Sequence, residues 1–328
     1  MTALDRALVA PKNLTREELV RFLSSGDAGV ERDLFAAARE LKHRLGKDAI
    51  LPRGLIECSN TCAKNCLYCG IRKDNGDVVR YRIPEPEALA CCDEARRRGY
   101  PAVAFQAGEI ESEANTAYYE RLLAGCRDLE VTLSLGEQTE AAYRRWKDAG
   151  ALRYLIRIET SNRALFSKIH PADCSFERRL GCIRTLKRLG YVTGSGVMIG
   201  LPGQTIGDLA RDILFFGEED LDMVGMGPFI PTPGTPMESW SSELELERGG
   251  ILLAGRSTLR LSLRMIALAR LYLHRVNIVA ATALEALDPA EGRDLGIRAG
   301  ANVIMTNLTP ARYRENYNLY PGKVSAVS

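Results

Sequence analysis

The chain has little of what several common functions require. Only three histidines occur in 328 residues, His43, His170 and His274. All lie far in sequence from the cysteine-rich segment, so a zinc site completed by histidine finds no candidate beside it. Neither charge is in excess: 44 Lys and Arg against 42 Asp and Glu leave a formal +2. So even a balance gives no electrostatic reason for nucleic acid or an anionic membrane as partner. No apolar run approaches the ~18 residues of a membrane helix. The start, Met1 to Leu23, carries Asp5, Arg6 and Lys12 and lacks the apolar core of a secretory leader. Nine cysteines, an odd number, without such a leader argue against a disulfide framework and for a reducing, cytoplasmic setting. There is no second C-x2-C pair, and no cysteine follows Cys182.

What is present is one short cysteine run, Cys62-Ala63-Lys64-Asn65-Cys66-Leu67-Tyr68-Cys69. Three thiolates spaced C-x3-C-x2-C on one loop can hold three corners of a [4Fe-4S] cubane. The fourth iron then has no protein ligand, and an open metal site is where chemistry occurs. The rival is structural zinc, with Cys58, four residues upstream, as fourth thiolate. Tyr68 is a packing residue on one reading. On the other, it shields one face of a cluster from water.

Thr15-Arg16-Glu17-Glu18 reads as a capping box opening a helix that stops at Ser24-Ser25-Gly26. Val30, Leu34, Phe35, Ala38, Leu41 and Leu45 form the stripe of a second helix ending at Gly46. Eight short apolar runs follow: Gly54–Cys58, Ala102–Gln106, Val131–Leu135, Arg153–Ile158, Gly194–Gly200, Met223–Pro228, Asn277–Thr282 and Asn302–Thr306. Amphipathic segments alternate with them, among them Pro86–Arg98, Phe176–Leu189 and Thr205–Glu218. The expectation is an α/β chain, a complete (β/α)8 TIM barrel over 51–328 preceded by a helical extension over 1–50. An open doubly wound sheet is the competing pattern. In a barrel the cysteine loop, following the first strand, sits at the mouth where active residues gather. Arg96-Arg97-Arg98 reads as a solvated helix end. Thr232–Ser257 reads as a surface loop with a short helix.

The other strand ends carry chemistry as well. The second gives Gln106-Ala107-Gly108-Glu109, where Gly108 allows close backbone approach and Glu109 can bind an ammonium or orient a loop. The third ends in Ser134-Leu135-Gly136-Glu137, offering a hydroxyl and a carboxylate. Arg157 and Glu159, two apart on the fourth, share one face, and a buried ion pair suggests a ligand. Arg179, opening the next helix, offers a fork for a carboxylate. The turn Gly200-Leu201-Pro202-Gly203-Gln204-Thr205 suits the edge of a flat heterocycle or an anion. The remaining cysteines (Cys91, Cys92, Cys126, Cys174 and Cys182) fall on helices or loops as buried thiols.

These residues resemble the radical S-adenosylmethionine superfamily: Cys62-x3-Cys66-x2-Cys69 with an aromatic at 68, and Ala107-Gly108-Glu109 after the second strand. Longer runs, such as Val131–Glu137, Gly200–Thr205, Gly227–Pro231, Gly300–Met305 and the ending Tyr317–Lys323, are similar to HydE-type [FeFe]-hydrogenase maturases. The resemblance spans about residue 30 to the C-terminus. It implies a [4Fe-4S] cluster on Cys62, Cys66 and Cys69. It also implies S-adenosyl-L-methionine held by Ser134, Glu159 and Arg179, with Met305 and Tyr317 closing the pocket. The implied reaction makes a 5′-deoxyadenosyl radical that acts on a sulfur-containing, iron-bound small molecule during assembly of the hydrogenase diiron–dithiolate unit. Its implied partners are a reduced ferredoxin or flavodoxin and other hydrogenase maturases. The family's second C-terminal cluster has no cysteines here, and Ala281 stands where a threonine is expected. Competing readings are a methylornithine synthase or biotin synthase relative, and a non-catalytic iron–sulfur or zinc scaffold.

Overall fold

Helix starts are fixed by short polar side chains. The hydroxyls of Thr2, Thr15 and Thr205 accept the N3 N–H groups of their helices, and an acidic residue at N3 returns the bond. Such boxes satisfy donors that the first helical turn cannot, each worth about 1 kcal/mol. Ser112, Thr139, Asn162 and Ser175 cap four further helices by accepting first-turn N–H groups, without the returning acidic bond.

The computed structural model describes residues 1–240 and 256–323. Its strands are β1 (Leu51–Ser59), β2 (Ala102–Ala107), β3 (Glu130–Ser134), β4 (Arg153–Leu155), β5 (Val192–Ile199), β6 (Met223–Pro228), β7 (Asn277–Ala280) and β8 (Val303–Asn307). All neighbours pair in parallel, and β1 pairs with both β2 and β8. The sheet is closed, which removes the open-sheet alternative. The helices are α1 (Ala3–Val9), α2 (Arg16–Ser24), α3 (Ala28–Arg44), α4 (Glu85–Arg97), α5 (Glu113–Ala124), α6 (Glu140–Asp148), α7 (Arg163–Ile169), α8 (Phe176–Arg188), α9 (Ile206–Glu218), α10 (Arg256–Leu273), α11 (Thr282–Leu287), α12 (Gly292–Ala299) and α13 (Ala311–Arg314). The first three lie outside the barrel's helical ring, against α9, α10 and α12.

The strands alternate their side chains between ring and interior. On β1, Ile56 and Cys58 join the core beneath the helices. Arg53 reaches across the interior to Met223 Sδ at 3.5 Å, and Glu57 meets Asn307 and Lys323. Between β3–β4 and α5–α6 the wall is aromatic. Trp146 stacks on Tyr154 (6.3 Å, 18°), meets Tyr119 edge-on and donates Nε1–H to Thr116 O at 3.0 Å. Truncating a side chain so buried costs about 3–5 kcal/mol.

Two expectations are corrected. The fourth run is a regular strand only to Leu155, not Ile158, and Glu159, just past the run, takes φ +64°. The chain still tracks β5 through Glu159 N to Gly196 O and Met198 N to Glu159 O, both 3.0 Å. The 232–257 stretch lies partly outside the described residues. Its first part packs inward through Thr232, Thr235 and Met237, and its last two residues open α10. The Arg96–Arg98 end is solvated as expected, paired with Asp93, Asp128 and Glu94.

Candidate active site

The cysteine loop is held in place by backbone and by one arginine. Arg80 donates to the carbonyls of Asn60 (2.7 Å), Ile71 (2.8 Å) and Arg72 (2.6 Å), so both ends of the loop hang on one guanidinium. Ala63 N donates to Glu109 O at 2.8 Å, which ties the loop to the end of β2. Cys62 Sγ accepts N–H bonds from Lys64 (3.4 Å) and Glu109 (3.3 Å). Gly108 is required by this approach. A Cβ there would lie 2.3 Å from Thr61 O and 2.8 Å from Cys62 Cβ.

The donor set fits a cubane. Among the described residues no three His, Cys, Asp or Glu converge on one metal-sized point. Three thiols on one loop, one of them already accepting two backbone N–H bonds, match the three protein ligands of a cubane with an open corner. Burial pushes the Cys69 thiol up to about 12 and raises Cys62 too, so these sulfurs keep their protons until a metal displaces them. Cys58 cannot complete a zinc set here. It is fully buried on the other face of β1, in the core beside Tyr118 and Tyr119.

Around the loop stand fixed ion pairs. Arg179 donates Nε–H to Glu137 Oε1 at 2.6 Å and Nη1–H to Arg157 O at 2.6 Å. Burial opposes its charge, but the Glu137 carboxylate overrides burial and holds its pKa above the ordinary value. Arg178 adds a 3.1 Å contact to the same carboxylate. Arg157 forks onto Glu159 (Nε to Oε1 2.8 Å, Nη2 to Oε2 2.9 Å) and onto the carbonyls of Gly225 and Val197 (2.9 and 2.8 Å). The shared face read from sequence thus exists, although Glu159 is not in a strand. Glu109 orients a loop: its Oε2 accepts Glu137 N at 2.8 Å, and Lys64 Nζ lies 3.7 Å from Oε1. Burial raises its pKa. Gly136, at φ +73°, leaves room for that carboxylate, since a Cβ would meet Oε2 at 2.2 Å.

Ser134 ends β3 in register with Gln106. Gln106 Nε2 donates to Tyr317 OH at 3.3 Å, which places the tail across the mouth beside β2. Met305 lies two residues before the end of β8, level with Arg53, and is not part of this polar ring. The Gly200–Thr205 turn is not an open anion cradle. Gln204 Oε1 already accepts the N–H groups of Gly200 (2.8 Å) and Leu201 (3.2 Å).

Sequence reasoning missed three neighbours. His170 Nε2 meets Tyr68 OH at 3.1 Å while Nδ1 faces Phe166 O at 2.9 Å. Burial and the Arg179 charge push its pKa down to about 3, so the neutral ring donates from Nδ1 and accepts from Tyr68. Lys323 is buried on Glu57 and fastens the tail. Cys174, read as a plain buried thiol, lies on the loop that Leu67 N ties to the cysteine loop through Ile169 O at 3.0 Å. None carries a local spacing signal.

Residues 56–216 match the model of the radical SAM superfamily. The chain is 44% identical to the [FeFe] hydrogenase maturase subunit HydE of Thermotoga maritima, over 95% of this chain and 86% of that protein. The chain belongs to the radical SAM superfamily, in the HydE family of [FeFe]-hydrogenase maturases. It is therefore an enzyme of a family that works with a [4Fe-4S] cluster and S-adenosylmethionine. It is also 26% identical to 3-methylornithine synthase of Methanosarcina barkeri, over 94% of this chain and 83% of that one. Among solved structures, methylornithine synthase superposes with TM-score 0.79 at 22% identity, covering 93% of this chain and 85% of the other. The maturase HydG superposes with TM-score 0.80 at 17% identity, covering 99% and 71%. At such identities these two show the shared fold alone. No helix among the described residues is long and apolar enough to cross a membrane.

Proposed function

We propose that this radical SAM enzyme cleaves S-adenosylmethionine reductively and directs the radical to a sulfur-containing, iron-bound small molecule in [FeFe]-hydrogenase maturation. One observation carries the reading: a three-thiol loop and two fixed guanidinium–carboxylate pairs meet at one barrel mouth. The 44% identity to the Thermotoga maritima protein supports the finer assignment. When bound, a cubane with one open iron supplies the chelation and the single electron that break the sulfonium S–C5′ bond.

The chain's residues position and exclude. Cys62, Cys66 and Cys69 hold the cluster, and the two N–H donors on Cys62 draw charge from its sulfur. Arg179 uses Nε and Nη1 inside the protein, and Nη2 is the nitrogen we assign to the ligand's carboxylate. Glu159, held by Arg157, and the Ser134 hydroxyl take the ligand's other polar atoms. Gly108 and Glu109 keep the mouth's backbone close, and Tyr68 covers the cluster loop. Tyr317, with Lys323 on Glu57, keeps the tail closed against water, and Met305 lines the wall below. The electron comes from a reduced ferredoxin or flavodoxin, and the product passes to other maturases.

The test is anaerobic reconstitution followed by dithionite and S-adenosylmethionine. Release of 5′-deoxyadenosine and methionine is expected, and none would sink the reading. Lysine as probe separates the methylornithine alternative: a rearranged lysine product would assign the chain there instead.

A further inference from the structure

The 72–82 segment runs along the solvent side of the cysteine loop and is tied to it by backbone. Arg72 N donates to Cys69 O at 3.0 Å, Lys73 N to Lys64 O at 2.8 Å and Asp74 N to Asn65 Oδ1 at 3.2 Å. The 312–318 segment lies beside it. Asn60 Nδ2 donates to both Val79 O and Asn316 O at 2.8 Å, and the Tyr81 and Tyr313 rings sit 5.0 Å apart. Residues 70–82 and 312–318 together hold six cations (Arg72, Lys73, Arg80, Arg82, Arg312 and Arg314) against three acids, Asp74, Asp77 and Glu315. That excess is larger than the +2 of the whole chain, so the remainder of the molecule is slightly acidic. Arg312 pairs with Glu87, and the other five form no ion pair among the described residues. Arg72 Nε and the Nε and Nη1 of Arg314 have no hydrogen-bond partner. The equally basic end of α4 differs, since Arg96, Arg97 and Arg98 are all paired. Amid the unpaired cations Val79 is 66% exposed.

We propose that this surface docks a ferredoxin, a small acidic one-electron carrier, against the outside of the cysteine loop. Uncompensated cations steer an acidic partner and fix its orientation. An exposed apolar residue among them gives the contact a dry centre. Electron-transfer encounters bury little area, so two short segments suffice, and they suit a ferredoxin better than the larger flavodoxin. Nucleic acid fits worse: Asp74 and Asp77 interrupt the basic run, and a phosphate backbone rewards unbroken positive charge. One electron leaves the carrier and enters the cluster held by Cys62, Cys66 and Cys69; no bond forms or breaks. Docking here approaches the cysteine loop through the backbone at Cys69 and Lys64 and leaves the barrel mouth to the substrate. The inference rests on the reading that these cysteines hold a redox cluster, and it assigns the face of the chain that the carrier uses.

The experiment titrates an acidic ferredoxin into the full, anaerobically reconstituted chain by calorimetry. Wild type should bind, and more weakly as salt rises. Lys73→Glu combined with Val79→Asp should bind roughly tenfold more weakly. Both side chains are exposed, so the fold should survive the exchange. Arg39→Glu, at an exposed cation on α3, is the control and should bind as wild type does. With dithionite as electron source the double variant should release 5′-deoxyadenosine at the wild-type rate; with reduced ferredoxin it should be several-fold slower. Carbodiimide coupling should join Lys73 to a ferredoxin carboxylate. Absence of ferredoxin binding by wild type, equal affinity in the double variant, or tighter binding of a flavodoxin or of duplex DNA overturns the proposal. Should the double variant fail to load its cluster, coupling of wild type decides: a link at Lys73 supports the surface, and links confined to other lysines overturn it. A chain that binds ferredoxin here yet releases no 5′-deoxyadenosine with dithionite would sink the proposed reaction and leave the docking surface standing.

Discussion

The cysteines at the barrel mouth and those in its wall sit in opposite surroundings. At the mouth, Cys62 accepts two backbone N–H groups, and the loop is ringed by Arg179–Glu137, Arg157–Glu159 and Lys64–Glu109. In the wall, Cys58, Cys91, Cys92 and Cys126 lie between β1, α4 and the end of α5, with Tyr118 and Tyr119 beside Cys58. Burial raises the thiol pKa in both regions, at Cys69 and Cys62 as at Cys58 and Cys91. Burial therefore does not distinguish a ligand from a filler. The distinction lies in whether polar groups are arranged to receive charge at the sulfur once the proton leaves.

The sharpest break of that comparison is serine at each region. Cys62→Ser, Cys66→Ser or Cys69→Ser should abolish cluster binding, read as iron content and visible absorbance after reconstitution. Cys58→Ser should keep the cluster. Its cost should appear in denaturant unfolding, about 1–3 kcal/mol for a hydroxyl placed in an apolar wall. Loss of the metal in Cys58→Ser would favour a four-thiolate site instead.

Asp212 tests how far the wall supports the mouth. It lies fully buried on α9 and accepts both Ser161 N and Ser161 Oγ at 2.6 Å, holding the turn just after Glu159. Burial pushes its pKa up to about 7. The unfolded carboxyl ionises near pH 4, while the folded one keeps its proton to about 7. The folded state therefore binds more protons in between, and stability falls as pH rises from about 4 to 7, by up to about 4 kcal/mol. Asp212→Asn should flatten that slope, measured by denaturant unfolding at pH 5 and pH 8. An unchanged slope would place the titrating group elsewhere. The smallest effect is expected at Tyr68→Phe. Loss of the bond to His170 should cost about 1 kcal/mol while the cluster still loads.

Legibility followed the range of each signal. The strand runs of β1, β2 and β6 show in a few adjacent residues, and the Thr15 box in four, so the barrel and its helical preface were readable. Arg153–Ile158 has strand composition throughout, yet regular pairing with both neighbours stops by Leu155, and composition does not encode where pairing lapses. Gly200–Gln204 has an anion turn's glycines, yet the Gln204 side chain occupies its donors. The Tyr68–His170 contact joins residues 102 apart, beyond any spacing rule.

The amino-acid order alone set which chemistry is available: three thiols within eight residues, capped helices, and apolar runs of strand length repeated eight times. These are local facts, settled by covalent spacing and by the pairing each backbone segment can satisfy. Closure of the barrel decided the rest. It put Glu137 against Arg179, Asp212 beneath Ser161, and His170 against Tyr68. Such meetings depend on where distant segments pack, and packing is decided by the whole core at once.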